Sequence, residues 1–210
     1  MSAQPGELIA GVILAGGLAR RMSGGDKALC TVDGEPMLGR IIARVRPQVC
    51  ALALNANGNA ARFAPWRLPV LADVVPGNAG PLAGVLTGLR WLEETGTGAR
   101  WLASFPGDAP FLPTDLVQRL FDATVAAGAL LACARSNGRT HPVCALWHAS
   151  VAEDLTRALT EEHVFKIDRF TARHALVHVD FATDPFDPFL NVNTPADLAD
   201  AGRLAAALRG

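Results

Sequence analysis

An apolar run that ends in a glycine-rich loop is the feature that most constrains how this chain can fold. Residues 8–14 are apolar and of strand length, which predicts a short, fully buried strand. Glycine permits unusual backbone angles and a close approach to a ligand, so backbone N–H groups can converge on an anion. The stretch after this strand contains four glycines and three cationic residues: Gly16, Gly17, Gly24, Gly25, Arg20, Arg21 and Lys27. The loop therefore predicts a phosphate site, with an exposed basic loop after an edge strand as the alternative.

The two best-known phosphate loops do not match this stretch. The dinucleotide-binding fingerprint needs G-x-G-x-x-G, and Gly16, Gly17 and Leu18 break that spacing. The P-loop needs Ser or Thr after its Gly-Lys pair, whereas Lys27 lies between Asp26 and Ala28. The loop is consequently expected to bind phosphate through a different motif.

Strand-like and helix-like stretches alternate along the chain. Residues 49–54, 69–71 and 101–105 are apolar runs of strand length, and helical patterns lie between them. This alternation predicts an α/β fold with a mostly parallel sheet. An antiparallel excursion is expected over residues 129–147, around the turn at residues 136–139.

Composition excludes several classes of protein. Half of the 210 residues are apolar and 19% are charged, which favours one globular domain over residues 1–210. The net charge of −1 does not favour bulk nucleic-acid binding, and no run approaches the roughly 18 apolar residues of a membrane span. The four cysteines lack metal-ligand or redox spacing and predict buried free thiols in a reducing cytoplasm: Cys30, Cys50, Cys133 and Cys144.

Three polar residues follow strand-like runs, where α/β sheets bind their ligands. Asn55 offers a donor and an acceptor to a base or ribose, or it shapes a turn. Asp73 could cap a turn or face a nucleotide. Asp108 is predicted to bind Mg²⁺, with a helix cap as the alternative.

Two further groups of residues suggest close approach or polar contact. Gly84 and Gly88 share one face of a predicted helix, and Gly84, in its first turn, is the better candidate for ligand contact. Residues 191–194 are expected to form a short strand before a last helix that begins with Thr194 and Pro195. The amides of Asn191 and Asn193 are expected at a polar pocket. Because residues alternate along a strand, one should touch a ligand and the other should fix the loop.

A set of motifs, in this order along most of the chain, resembles the molybdenum cofactor guanylyltransferases. The motifs are Leu14-Ala-Gly-Gly-x3-Arg-Met-x4-Lys27, Asn55-Ala-Asn57, Gly80-Pro-Leu-Ala-Gly84, Pro106-Gly-Asp108, His141-Pro142 and Asn191-Val-Asn-Thr-Pro195. The resemblance implies a three-layer, Rossmann-like nucleotidyltransferase fold. It also implies a nucleotide-binding part over about residues 8–110 and an acceptor-binding part over about residues 111–210.

The activity that the resemblance implies is transfer of GMP from GTP to the terminal phosphate of molybdopterin or molybdenum-molybdopterin, with release of pyrophosphate. The implied GTP-binding residues are Leu14, Ala15, Gly16, Lys27, Asn55, Asp73 and Asp108. Lys27 and Asp108 would be catalytic, with Mg²⁺ on Asp108 and with Arg21 assisting Lys27. The implied acceptor-binding residues are Gly84, Asn191 and Asn193. Such a displacement depends on positioning and charge neutralisation more than on an acid or a nucleophile.

The resemblance also sets expectations for partners and alternatives. Molybdopterin-delivery proteins and apo-molybdoenzymes are the implied protein partners of a cytoplasmic monomer without nucleic-acid or membrane binding. Alternatives are a CTP-dependent or sugar-phosphate nucleotidyltransferase of the same fold, and a non-catalytic GTP-binding regulator. Gly16 and Gly17 favour guanine, since the corresponding segment of the cytidine enzymes resembles Leu-Ala-Ala-Gly.

The chain departs from the family pattern at two positions. The family often has Cys at the position of Gly107, where glycine is expected to be harmless. It often has a basic residue at His163, where Lys166 could compensate.

Overall fold

A computed structural model describes residues 9–16, 26–77 and 80–208. Most of the glycine-rich loop, including Arg20, Arg21 and the glycines after Gly16, lies outside the described residues.

The described chain contains nine strands: β1 (Ile9–Leu14), β2 (Thr31–Val32), β3 (Glu35–Pro36), β4 (Ala51–Asn55), β5 (Val70–Leu71), β6 (Trp101–Pro106), β7 (Leu131–Ser136), β8 (Arg139–His148) and β9 (Leu176–Phe181). It contains six α-helices: α1 (Met37–Val45), α2 (Pro81–Glu94), α3 (Leu116–Ala127), α4 (Ala152–Thr160), α5 (Ile167–Thr171) and α6 (Pro195–Ala207). Short 3-10 helices cover Lys27–Leu29, Arg46–Gln48, Ala60–Trp66 and Ala149–Val151.

Seven strands form one sheet in the order β5-β4-β1-β6-β8-β7-β9. The pairs β4–β5, β1–β4, β1–β6 and β7–β9 are parallel, and β8 runs antiparallel to both of its neighbours. At the tight turn between β7 and β8, Asn137 and Gly138 both have positive φ, as a type I′ hairpin requires. The mostly parallel sheet and its antiparallel excursion are therefore confirmed. Strands of both predicted parts belong to this one sheet, so the functional division near residue 110 stays a prediction.

Helices cover both faces of the sheet, because the alternation of side chains along β1 supplies apolar groups to each face. Ile9 and Ile13 belong to a core cluster with residues of α1, α3 and α6. Val12, between them, belongs to a second cluster with residues of α2, α4 and α5. This arrangement is the predicted three-layer α/β fold. No helix of the described residues has the length and apolar character that a membrane span needs.

Several local predictions were wrong, and the structure shows what replaces each predicted arrangement. The sequence pattern predicts a helix over residues 162–171, but residues 162–166 are not helical: His163 has a φ of +54°, and α5 begins only at Ile167. Residues 191–194 form no strand, because the backbone N–H of Val192 donates to the carbonyl of Asp108 instead of entering a ladder. The helical pattern of residues 115–127 predicts that Val125 faces the core with Leu116 and Leu120, but Val125 is 65% exposed. At 3.6 residues per turn it lies opposite Leu116 on α3.

The cysteine prediction holds for part of the set. Cys133 and Cys144 are buried and free, whereas Cys50 is exposed. Burial raises the pKa of the Cys133 thiol to about 11 and that of the Cys144 thiol well above its usual range. Both buried thiols are therefore protonated and unreactive near neutral pH.

Candidate active site

A cavity of about 390 Å³ lies at the carboxyl ends of β1, β4 and β6. This is the edge at which α/β sheets bind ligands, and the volume is within the range of roughly 300–1,000 Å³ of small-molecule sites. The cavity is lined by Leu14, Ala15, Gly16, Lys27, Ala28, Asn55, Asn57, Asp73, Gly80, Pro81, Pro106, Gly107, Asp108 and Val143. Every residue that the resemblance implied for the nucleotide lies in this lining. Gly84, Asn191 and Asn193 do not.

Backbone hydrogen bonds fix the three strand ends that form the floor of the cavity. Ala15 N–H donates to the Asn55 carbonyl at 2.9 Å, and Gly107 N–H donates to the Leu14 carbonyl at 3.0 Å. A Cβ at position 107 would lie 2.8 Å from the Leu14 carbonyl oxygen, so the close approach itself requires glycine. A Cβ at Gly16 would meet no described atom within 4 Å, which leaves room beside this part of the floor.

The predicted catalytic pair meets one predicted acceptor residue at a single point. Lys27 Nζ donates to Asp108 Oδ2 at 2.5 Å and also to Asn193 Oδ1. The Lys27 and Asp108 side chains are only 13% and 25% exposed, so water screens this pair less than it would a surface pair. Val192 N–H donates to the Asp108 carbonyl at 2.8 Å, which ties the segment carrying Asn193 to the end of β6.

Asn193 is held from behind by the first turn of α6. Asp197 accepts hydrogen bonds from the backbone N–H groups of Asn193 at 2.8 Å and Thr194 at 2.9 Å. The bond from Asn193 N–H is the main reason that the pKa of Asp197 lies below its ordinary value. Thr194 accepts in turn from Asp197 N–H at 3.1 Å, which completes a capping box. The sequence reasoning named Thr194 but missed Asp197, although the spacing Thr-x-x-Asp signals the box.

A second polar group lies at the end of β4. Asn55 Nδ2 and Asn57 Nδ2 each donate to one oxygen of the Asp73 carboxylate, both at 2.8 Å. Asp73 N–H donates back to Asn57 Oδ1 at 2.9 Å. Since each carboxylate oxygen accepts two hydrogen bonds, both oxygens retain capacity for a ligand. Asn57 belongs to the cavity lining but was not among the predicted site residues, although it is part of the Asn55-Ala-Asn57 motif.

Arg62 joins these two groups, and sequence reasoning missed it. Its guanidinium pairs with Asp26, the residue before Lys27, and donates to the Asn57 carbonyl at 2.8 Å. Arg62 lies in the 3-10 helix Ala60–Trp66, where a single arginine among apolar residues carries no sequence signal. Only the folded structure shows that Arg62 contacts Asp26 and Asn57.

Gly84 lies under Asn55 and not in the cavity. A Cβ at position 84 would lie 2.3 Å from Asn55 Oδ1 and 2.8 Å from Leu14 Cδ2. The geometry therefore gives Gly84 a packing role on the nucleotide side, and its acceptor-binding role stays a prediction. Gly88 is a packing glycine, since a Cβ at this position would lie 2.7 Å from Leu102 Cδ2.

The loop before α5 borders the cavity from the other side. The backbone carbonyl of Phe165 lies 3.7 Å from the position of a Cβ on Gly80, a lining residue. His163 and Lys166 are both exposed in this loop. That Lys166 compensates for His163 stays a prediction.

The donor set at Asp108 suits Mg²⁺. The described residues contain no group of three or more His, Cys, Asp or Glu side chains arranged for a metal ion. Mg²⁺ does not need one, because it binds through one or two carboxylates and fills its other positions with substrate phosphates and water. A single half-buried carboxylate beside Lys27 fits that preference.

Comparisons with known proteins agree on one family. Residues 11–177 match the family model described as MobA-like NTP transferase domain. The molybdenum cofactor guanylyltransferase of Rhodopseudomonas palustris (strain BisB5) is 53% identical over 194 residues, which is 92% of this chain and 92% of that protein.

Solved structures agree with these comparisons at the level of the fold. Molybdopterin-guanine dinucleotide biosynthesis protein A from Archaeoglobus fulgidus has a TM-score of 0.73 at 21% identity, covering 94% of this chain and 99% of that chain. A protein of Mycobacterium tuberculosis solved as a manganese complex has a TM-score of 0.68 at 20% identity, covering 93% of this chain and 98% of that chain.

Proposed function

Because this chain belongs to the MobA-like NTP transferase family, we propose that it transfers GMP from GTP to the terminal phosphate of molybdopterin and releases pyrophosphate. The observation that supports this most is the meeting of Lys27, Asp108 and Asn193 at the carboxyl ends of the strands. There the ammonium group of Lys27 donates both to a carboxylate suited to a divalent ion and to an amide from the implied acceptor side.

The chemistry is a displacement at phosphorus. A terminal phosphate oxygen of the acceptor forms a bond to the α-phosphorus of GTP, and the bond from that phosphorus to the oxygen of pyrophosphate breaks. Lys27 neutralises phosphate charge, and the floor formed by Leu14, Ala15 and Gly107 fixes where the nucleotide lies. When bound at Asp108, Mg²⁺ would supply further positive charge to the phosphate oxygens. Positioning and charge neutralisation suffice for such a step.

The Asp73 carboxylate favours guanine as the base. Guanine presents two adjacent donors, its N1–H and its 2-amino group, and a carboxylate can accept both. Cytosine presents a single donor of this kind, its 4-amino group. Asn55 and Asn57 hold the carboxylate in place, so its selection of the base requires no rearrangement.

The decisive assay measures pyrophosphate release with GTP or CTP, Mg²⁺ and molybdopterin. Release that depends on GTP and molybdopterin is the expected result. Preference for CTP, or for a sugar phosphate as acceptor, would assign another transferase of this fold. Tight GTP binding without release under any of these conditions would leave a non-catalytic regulator as the better account.

Gly84→Ala tests the role of that glycine. The new methyl group would displace the Asn55 side chain and so disturb Asp73, and we expect GTP affinity to fall about tenfold or more. Titration with GTP measures this loss. Gly202→Ala in α6 is the control, since its Cβ would meet nothing within 4 Å and GTP affinity should not change. An effect of Gly84→Ala on the molybdopterin KM alone would restore the acceptor-binding role implied by the resemblance.

Asn191→Ala and Asn193→Ala test the acceptor side. Asn191→Ala should raise the KM for molybdopterin about tenfold and leave GTP affinity nearly unchanged. Asn193→Ala should affect both substrates, because Asn193 also accepts a hydrogen bond from Lys27. Steady-state kinetics with each substrate varied in turn separate the two effects. A large loss of GTP affinity in Asn191→Ala would place the acceptor elsewhere.

The remaining partner assignments stay predictions. Molybdopterin-delivery proteins and apo-molybdoenzymes are the protein partners that this function implies. A monomeric state and a cytoplasmic location are likewise proposals, which sedimentation and cell fractionation can test.

A further inference from the structure

The His141-Pro142 motif lies outside the residues assigned to substrates, yet the structure gives His141 a defined set of partners. His141 lies near the start of β8, and its Nε2 is 2.7 Å from Ser136 Oγ at the end of β7. Ser136 Oγ is also 3.0 Å from both carboxylate oxygens of Asp187. Ser136 is 1% exposed, so these contacts are shielded from water.

The direction of the hydrogen bonds follows from the single proton of a hydroxyl group. Ser136 directs its O–H to the Asp187 carboxylate, which can only accept. The hydroxyl oxygen therefore accepts from the N–H on Nε2 of His141. Burial lowers the pKa of the His141 imidazole, Arg139 acts in the same direction and Asp187 opposes both. The ring is accordingly neutral near neutral pH.

The His141 ring also packs on the segment that Asp187 begins. It stacks on Phe189 with ring centroids 4.4 Å apart and an interplanar angle of 19°. Phe189 meets Phe181 edge to face at 5.2 Å, and its backbone N–H donates to Asp187 Oδ1 at 2.9 Å. His141 is thus linked to Asp187 through the hydroxyl group of Ser136 and contacts Phe189 directly through the ring stack.

This anchored segment continues directly into the acceptor residues. Leu190 N–H donates to the Asp187 carbonyl at 3.2 Å, and Val192 N–H donates to the Asp108 carbonyl at 2.8 Å. Asn193 then contacts Lys27. Residues 187–193 are therefore held at one end by His141 and at the other end by the catalytic pair.

We propose that His141 is a positioning residue for the acceptor, which holds residues 187–193 through Ser136, Asp187 and Phe189 and thereby places Asn191 and Asn193. The inference rests on the proposed function, because it takes these two amides as acceptor ligands. His141 itself is not among the residues that line the cavity. Its effect should therefore appear in acceptor binding and not in the chemistry at the α-phosphorus.

The kinetic test compares His141→Ala with a matched control on the same strand. We expect the KM for molybdopterin to rise about tenfold or more, with the KM for GTP changed less than about twofold. His148→Ala is the control: its ring also packs on an aromatic side chain, Trp101, at a centroid distance of 4.8 Å, but at the far end of β8. The control should alter thermal stability without altering the KM for molybdopterin. Equal changes in both KM values, or the same change in His148→Ala, would overturn the proposal.

Two conservative variants separate the two contacts of the ring. His141→Gln can keep an N–H for Ser136 but loses the stack, whereas His141→Phe keeps the stack but loses the N–H. Each should reverse part of the rise in the KM for molybdopterin that His141→Ala causes. If neither variant reverses any of that rise, the ring does not act through these contacts.

Hydrogen exchange provides a readout that does not depend on activity. The backbone amides of Phe189, Leu190 and Val192 are hydrogen-bonded in this segment. Their exchange should become about tenfold faster in His141→Ala and remain unchanged in His148→Ala. Unchanged exchange in His141→Ala would refute the positioning role even if transfer activity is present. If the unmodified protein transfers no GMP, the proposed function fails, and the exchange rates alone decide whether His141 holds the segment.

Discussion

Asp108→Asn should lower turnover at saturating GTP roughly 10²-fold or more, equivalent to about 3 kcal/mol of barrier, while GTP affinity changes only a few-fold. The substitution keeps the shape of the side chain, and the backbone carbonyl that accepts from Val192 N–H is unaffected. It removes the negative charge that pairs with Lys27 at 2.5 Å and that would retain a divalent ion. The loss falls on turnover because this charge acts on oxygens whose own charge shifts during the displacement.

The measurement pairs GTP titration with pyrophosphate release over a range of Mg²⁺ concentrations. Lys27→Ala should differ by weakening GTP binding together with the rate, since an ammonium group contacts phosphate before the reaction as well as during it. Asp115→Asn is the matched control, because Asp115 is largely exposed and pairs with Arg119 away from the cavity lining. Near-normal turnover of Asp108→Asn with an unchanged Mg²⁺ dependence would mean that no ion is held there. Asp73 would then be the next carboxylate to test.

The predicted nucleotide-binding residues come together in the cavity lining because their positions depend on strand ends. Asn55 is the last residue of β4, and Asp108 follows β6, so recognition of the strands was enough to place both side chains at one edge of the sheet. The order of the strands brought them together, and a mostly parallel sheet has few alternatives at this edge. The positions of Asn55 and Asp108 could therefore be predicted from the local sequence pattern and the general topology of α/β sheets.

Contacts between distant segments could not be predicted in the same way. A glycine in the first turn of a helix is compatible with a ligand or with a neighbouring side chain above it. Only the folded chain shows that Asn55 lies above Gly84. Polar and apolar residues alternate from Asn191 to Asn193 as in a strand, but no described strand pairs with residues 191–194. The backbone N–H of Val192 donates to the Asp108 carbonyl instead. The Arg62–Asp26 pair and the contacts of His141 could not be predicted for the same reason, since they too depend on how the folded chain brings these side chains together.

Asp73→Asn should reduce the preference for GTP over CTP, and GTP affinity should fall roughly 10²-fold, since a hydrogen bond to a charged group contributes about 1.5–3 kcal/mol. An amide offers one acceptor where the carboxylate offers two. Its NH₂ group must then point either at the guanine donors or at the donating amide of Asn55 or Asn57. Each orientation places two donors against each other. CTP, with a single donor to satisfy, should lose less affinity than GTP.

The test is a pair of titrations, with GTP and with CTP, on Asp73→Asn and the unmodified protein. Asp122→Asn is the control, because Asp122 is exposed on α3 and its side chain accepts from Gln118. Thermal unfolding of each variant shows whether the fold around Asn55 and Asn57 survives. If Asp73→Asn loses equal affinity for GTP and CTP, the carboxylate supports the pocket without reading the base. A larger loss for GTP than for CTP means that Asp73, held by the amides of Asn55 and Asn57, contributes to the selection of guanine by accepting hydrogen bonds from its two donors.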